Sequence, residues 1–170
     1  MSSDKMREIK VEKVTLNIGT GEPGDKLEKA MKLLHNISDM KPIITKSKSR
    51  IPSWDIRPGL EIGCKVTLRK QKALEILNRL FLAINNKVDA KKFDNNGNFS
   101  FGIKEYLEIP NVKYNPEIGI IGLEAAVTLQ RPGFRIKKRR LKKKRVHRKH
   151  LITKEEAIEF VKREFNVEVV

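Results

Sequence analysis

The chemistry this sequence offers is cationic and hydrogen-bonding. Lys46, Ser47, Lys48, Ser49 and Arg50 run consecutively, and Ser53, Trp54, Arg57 and Gly59 follow closely. Lysine and arginine neutralise phosphate, hydroxyls bond phosphate and sugar oxygens, and an indole stacks on a base, so the run suits nucleic acid. It equally fits a solvated hairpin loop whose Trp54 folds back onto the core. A second group is Lys65, Thr67 and Arg69, which alternate with Cys64, Val66 and Leu68. In a strand that alternation puts the apolar set on one face and the polar, basic set on the other. A third is residues 131–150, with 12 Lys and Arg and no Asp or Glu.

Catalytic chemistry finds little support. Gly19, Gly21 and Gly24 spell a G-x-G-x-x-G turn after a strand and before a helix. The dinucleotide fingerprint also needs an acid at the end of the next strand and a parallel sheet. Here that strand ends in Lys46, the strand after it is reached by a loop and not a crossover helix, and Glu22 and Pro23 stand where a pyrophosphate would approach. The glycines then make a tight exposed turn, whose amides remain candidates for an RNA phosphate. His35, His147 and His150 lack Cys, Asp or Glu partners at metal-ligand spacing, and Asp55, Glu61, Asp94, Glu105 and Glu108 are scattered. No nucleophile elbow is present. The residues imply no enzyme, metal or cofactor.

These groups must be positioned by a small α+β core. A strand is expected over 13–19, with Val14, Leu16 and Ile18 inward and Thr15 and Asn17 outward. Ile9 and Val11 have the opposite phase, which predicts a bulge near Glu12. Leu27, Ala30, Met31, Leu34 and Ile37 predict a helix over 25–38. Ile43 and Ile44 lie in a short strand, and Leu60–Leu68 is the clearest strand of the chain. A second helix is expected over 71–86, burying Leu74, Leu77, Leu80, Phe81 and Ile84. Asn95–Asn98 signals a turn, and Phe99, Phe101 and Ile103 then alternate. Leu123–Gln130 is the last core strand. Thr153 and Glu156 form a capping box for a terminal helix near 154–165, with Ala157, Ile158, Val161 and Phe165 on its apolar side.

The order is strand, helix, strand, strand, helix, strand, strand. It predicts an α+β fold of the split βαβ (ferredoxin-like, RRM-like) type, an antiparallel sheet with two helices on one face. The uncovered face would carry Thr15, Asn17, Lys65, Thr67, Arg69, Ser100, Lys104, Thr128 and Gln130. An RRM stacks bases on sheet aromatics, whereas here Phe99 and Phe101 take the apolar phase; the exposed set suits the shape and backbone of folded RNA better. The expected organisation is a core over 1–130 and a basic segment with a terminal helix over 131–170, packed on the core or extending from it.

The chain has 170 residues, a formal net charge of +16 and a pI near 10.0. Residues 131–150 account for +12 of that, leaving the rest only mildly basic. Such a balance points to a polyanionic partner. The run Lys137–Arg145 reads alternatively as a localisation signal, a membrane-surface patch, an RNA-binding tail or a solvated, disordered tail. Tethering between a strand and a capped helix argues against the last. Cys64 has no partner for a disulfide, the amino terminus lacks an apolar signal region, and no apolar run approaches the roughly 20 residues a membrane helix needs. A cytoplasmic protein without a membrane partner is expected.

Several stretches resemble one family. LNIGTGE (16–22), KPIITKSKSRI (41–51), IRPGLEIGCKVTLR (56–69), LNRLF (77–81) and GNFSFGIKEY (97–106) are similar to the large-subunit ribosomal protein L-five family, the 5S rRNA binders of the central protuberance. RPGFRIKKRR and KHLITKEEAIEF resemble the carboxy-terminal extension of archaeal and eukaryotic members, which bacterial members lack; the chain groups with the archaeal ones. The resemblance implies a structural, non-catalytic role in the cytoplasmic large subunit. Its implied partners are 5S rRNA, large-subunit rRNA, the elbow of P-site tRNA, a small-subunit head protein across an intersubunit bridge, and neighbouring 5S rRNA-binding proteins. Carried over by position, Asn17, Lys46, Ser47, Lys48, Arg50, Lys65, Thr67 and Arg69 would contact 5S rRNA, and Ser53, Trp54, Arg57 and Gly59 at the loop tip would contact tRNA. The family often has Phe-Lys where this chain has Trp54-Asp55.

The basic segment gives a first expectation. Without RNA, residues 135–150 should be the earliest trypsin cleavage sites in a limited digest; full resistance there would be the contrary result.

Overall fold

The computed structural model describes residues 5–170. Strand β1 spans Lys10–Gly19, and its register shifts between Val11 and Lys13, so Glu12 is the extra residue of a bulge, as the phase change predicts. Helix α1 (Asp25–Ser38) ends where Asp39 turns left-handed at φ 51° and its amide donates to the His35 carbonyl. Strands β2 (Ile43–Lys46) and β3 (Glu61–Leu68) form a pair joined by the long loop. Helix α2 (Lys70–Ala83) leads to the short strand β4 (Lys87–Val88), then to β5 (Phe99–Ile103) and β6 (Leu123–Gln130). Helix α3 (Lys154–Phe165) and the short strand β7 (Glu168–Val169) close the chain.

The main sheet has the order β2-β3-β1-β6-β5, every pair antiparallel. It is the expected split βαβ sheet with β5 added at one edge. Val14, Leu16, Ile18, Cys64, Val66, Leu68, Ala125 and Val127 are all buried against the buried faces of α1 and α2. Their alternate neighbours lie on the face no helix covers, because successive strand side chains point to opposite sides. Burial without a cationic neighbour pushes the Cys64 thiol up to about 11, as expected for a structural cysteine in an apolar site.

Two helical stripes differ from expectation. In α2 the buried set is Ala73, Ile76, Leu77, Leu80, Phe81 and Ala83, while Leu74 is exposed and Ile84 lies beyond the helix. Spacings of three and four from Ala73 give a better-centred stripe than those from Leu74. The helix stops at Ala83, short of Asn86, because Asn85 and Asn86 adopt left-handed φ values of 55° and 54°. In α1, Leu33 is buried and Met31 only partly so.

Residues after Gln130 share the same core. Phe165 packs on Phe81 at 5.3 Å between ring centroids, and Phe81 also stacks on Phe101 at 5.6 Å. Ile152 presses on the turn at Gly97, where a Cβ would meet its Cγ2 at 2.6 Å and φ is +77°. Strand β7 pairs in parallel with β4, a pairing too short for any periodicity to signal. The Thr153–Glu156 capping box is present as read from sequence.

A buried arginine fixes this arrangement. Arg131 is 5% exposed; its Nε donates to the Arg7 carbonyl at 3.1 Å, Nη1 to the Leu151 carbonyl at 3.1 Å and Nη2 to Glu156 Oε1 at 2.8 Å. One guanidinium thereby ties the approach to β1, the end of β6 and the start of α3. Partial burial would raise the Glu156 carboxyl, but the Thr153 amide and the Arg131 guanidinium outweigh it and hold it below the ordinary value of 4.5. A lowered folded pKa stabilises the fold fully above pH 4.5, and that gain is lost as pH falls through the folded value. Thermal melts of wild type and Glu156→Gln should therefore differ at pH 7 and converge in acid. Arg131→Ala should cost about 3 kcal/mol at pH 7, since it removes three charge-assisted bonds and orphans two carbonyls.

Candidate nucleic-acid interface

The sheet register sets the uncovered face in rows, since residues paired across antiparallel strands point to the same side. One row is Ile43, Lys65, Asn17, Glu124 and Gly102; the next is Thr67, Thr15, Ala126 and Ser100; a third pairs Lys13 with Thr128. Lys65 and Arg69 are exposed, and Asn17 and Thr67 are partly buried. Arg69 lies just past the end of β3 in extended conformation, so it keeps the phase of Lys65 and Thr67. Asn17 Nδ2 donates to Glu124 Oε2 at 3.4 Å. The face holds no aromatic ring: Phe99 and Phe101 are 3% and 7% exposed and belong to the core. Base stacking in the manner of an RRM therefore has no platform here.

At the Gly19 end of the sheet the β2–β3 loop is folded. Ser47 N–H donates to the Leu60 carbonyl at 2.8 Å and Gly59 N–H to the Ser47 carbonyl at 2.9 Å, which extends the hairpin past Lys46. Ile51 and Ile56 exchange backbone bonds at 2.9 and 3.1 Å, and Ile56 is buried. A 3-10 turn over Pro52–Trp54 makes the tip, closed by Asp55 at φ 51°. Gly59 sits at φ +88°, a conformation that favours glycine. Trp54 is 71% exposed, so the indole stands out in solvent and does not fold back onto the core.

The cations differ in availability. Lys46 pairs with Glu61 at 3.2 Å and Ser47 Oγ donates to the Ser49 carbonyl at 2.8 Å. Among the described residues, Lys48, Arg50, Arg57, Lys65 and Arg69 have no carboxylate at ion-pair distance. Ser53 is exposed next to Trp54 in the tip turn, and Gly59 is exposed on the stem opposite Ser47. The structure thus gathers Asn17, Lys65, Thr67 and Arg69 on the open face, Lys46–Arg50 on the loop stem, and Ser53–Gly59 at the tip and its return.

Three features of this surface escaped the sequence reading. Lys13 shares the parity of Thr15 and Asn17 and joins the open face, which parity alone could have shown. Glu124 brings an acid to the same row as Lys65, by the same rule. Lys92 comes from the 3-10 turn over Ala90–Lys92 and lines a surface cleft with Asn17, Ser100, Gly102 and Glu124, and only the tertiary fold places it there. The glycine turn is internally satisfied: Thr20 and Gly21 amides both donate to the Ile62 carbonyl, at 3.0 and 3.1 Å, and Glu22 bonds Lys26 at 2.6 Å. Those two amides are not presented to a phosphate. Among the described residues no cluster of three His, Cys, Asp or Glu is placed to hold a metal ion, and no helix is long and apolar enough to cross a membrane.

A basic α+β fold with a polar sheet face left open beside an ordered cationic hairpin loop defines an RNA-binding class of protein. Residues 4–57 match the family model of Ribosomal protein L5, and residues 61–165 match the model of the same ribosomal family's C-terminus. The chain belongs to the ribosomal protein L5 family. It is 51% identical over 166 residues to the large ribosomal subunit protein uL5 of Nanoarchaeum equitans, covering 97% of this chain and 98% of the relative. The uL5 proteins of Sulfurisphaera tokodaii and Sulfolobus acidocaldarius are 48% and 47% identical, each across 97% of this chain and 94% and 93% of the relative. The resemblance to archaeal members is thereby established over nearly the whole chain. The chain is a cytoplasmic ribosomal protein of the large subunit and not an enzyme.

The loop geometry gives a direct expectation. Trp54 is the only tryptophan. Its fluorescence in the free protein should be quenched by acrylamide nearly as well as that of a free indole. Quenching as weak as that of a core tryptophan would contradict the exposed tip.

Proposed function

We propose that this protein anchors 5S rRNA within the large ribosomal subunit through its open sheet face and the stem of its hairpin loop. The observation that carries this reading is an open sheet face carrying Asn17, Lys65, Thr67 and Arg69 beside an ordered loop stem carrying Lys48 and Arg50, with no carboxylate at ion-pair distance from those cations among the described residues. Such a surface binds phosphate by charge and reads A-form shape, with hydroxyl and amide groups of Thr67, Ser47 and Asn17 available to 2′-hydroxyls. Lys46 contributes after exchanging Glu61 for phosphate, a small cost for an exposed pair.

The loop tip supports a second contact. Ser53 and Trp54 at the tip present a hydroxyl and an exposed indole, and Arg57 and Gly59 on the return to the stem add a cation and a close-approach backbone, which together suit the elbow of P-site tRNA. A bridge to a small-subunit head protein, contact with large-subunit rRNA and contact with neighbouring 5S rRNA-binding proteins complete the reading. These rest on family membership.

Lys48→Glu, Lys65→Glu and Arg69→Glu together should weaken binding to isolated 5S rRNA. The log–log salt slope should fall by about 1 for each phosphate that is no longer neutralised. Trp54→Ala should leave that binding unchanged and weaken only tRNA occupancy in reconstituted ribosomes. Unaltered affinity and slope in the triple variant would overturn the proposal.

A further inference from the structure

The basic segment is built into the fold, and its cations divide into two groups. Four of the 12 in residues 131–150 have structural roles. Arg131 is the buried pin; Lys138 pairs with Glu12, the bulge residue of β1. Lys137 lies 4.4 Å over the buried Phe134 ring, and Arg139 Nε donates to the Lys142 carbonyl at 2.9 Å. His150 Nε2 is 2.8 Å from the Pro132 carbonyl, which holds the far end of the segment against its start. Lys144 N–H donates to the Ile136 carbonyl at 3.2 Å and closes residues 136–144 into a loop, with Lys142 at φ 51°. The remaining eight cations have no carboxylate at ion-pair distance among the described residues. Five of them, Arg140, Lys142, Lys143, Lys144 and Arg145, are exposed on or beside that closed loop.

We propose that this pinned cationic loop is a second RNA-binding surface, which takes the phosphate backbone of a duplex RNA segment independently of the open sheet face. Resting on the RNA-anchoring reading, it makes the protein a clamp between two RNA segments. Position favours independence. The segment is attached where β1 begins and β6 ends, through Glu12 and Arg131, whereas the β2–β3 loop leaves the sheet at its Gly19 end. Chemistry favours a phosphate backbone over a membrane. The segment has no α-helix and one strongly exposed large apolar side chain, Leu141 at 77%, so it lacks the apolar face of a membrane-surface element. Lysine and arginine on a tethered loop give up less freedom on binding than on a loose tail, and each cation seated on a phosphate releases counterions.

The test uses the full chain and two probes, a 20-base-pair RNA duplex of arbitrary sequence and 5S rRNA, followed by fluorescence anisotropy over a range of salt. The strap variant changes Arg140, Lys142, Lys143 and Lys144 to Gln; the face variant changes Lys48, Lys65 and Arg69 to Gln. A third protein carries Lys142→Arg, Lys143→Arg and Lys144→Arg. The strap variant should melt like wild type, bind the duplex at least tenfold more weakly, and show a salt slope lower by about 3. The arginine variant should hold the duplex as wild type does, and combining the strap and face substitutions should weaken duplex binding further than either set alone. Equal duplex affinity and slope in wild type and strap variant would overturn the proposal, as would binding to phosphatidylserine vesicles without binding to the duplex. Loss of 5S rRNA binding by the strap variant but not by the face variant would instead count against the sheet-face reading, so the two failures are distinguishable.

Discussion

Val14, Leu16 and Ile18 leave Thr15 and Asn17 no choice of side. A pleated strand that buries every second residue must expose the others unless a second layer covers them, and this sheet has helices on one face only. The constraint is transmitted from β1 to its neighbours by register: Asn17 fixes Lys65, Thr15 fixes Thr67, and Lys13 stands beside Thr128. A slip of one residue would carry Lys65 into the core and Cys64 into solvent, at a cost no local rearrangement would offset. Hydrophobic burial on one side thus holds the polar groups in fixed spacing on the other. RNA is a charged surface of nearly constant shape, and a rigid array of donors and cations meets it with little ordering at the moment of binding.

The same logic governs the two loops. Each carries cations on a backbone already closed by its own hydrogen bonds: Ser47–Leu60 and Ile51–Ile56 in the hairpin, Ile136–Lys144 in the basic segment. The carboxy-terminal region depends on Arg131, whose buried charge is acceptable only because carbonyls of Arg7 and Leu151 and the carboxylate of Glu156 surround it. The bulge in β1 has a comparable role, since the residue it displaces, Glu12, is the one that holds Lys138.

Much of this was legible in the residues. Strict alternation gave β3, β5 and β6 and their inward faces, because a period of two sustained along a whole strand and bounded by turn residues has no rival. The capping box marked α3, and the phase change at Val11 marked the bulge. The misses have physical causes. Leu74 reads as core in a helix pattern, but a stripe centred on Ala73 packs more closely, and small residues are weak signals. The β4–β7 pair is too short to show a period and forms only because α3 brings the chain end alongside. Trp54 gave no hint of its direction, since an indole on a loop is equally at home against the core or in water. Arg131 read as one more cation of a basic run, and only its three partners, distant in sequence, show that it is structural. Lys92 reaches the open face through tertiary folding alone.

The central claim is that RNA lies on the side of the sheet the helices do not cover. Lysine-selective acetylation of the protein alone and of its complex with 5S rRNA, read by mass spectrometry, tests it residue by residue. Lys13, Lys48 and Lys65 should become less reactive in the complex, while Lys29 on α1 and Lys72 on α2, both exposed in the free protein, should stay as reactive as before. Protection of Lys29 and Lys72 with Lys65 left reactive would put the RNA on the helical side and contradict the account.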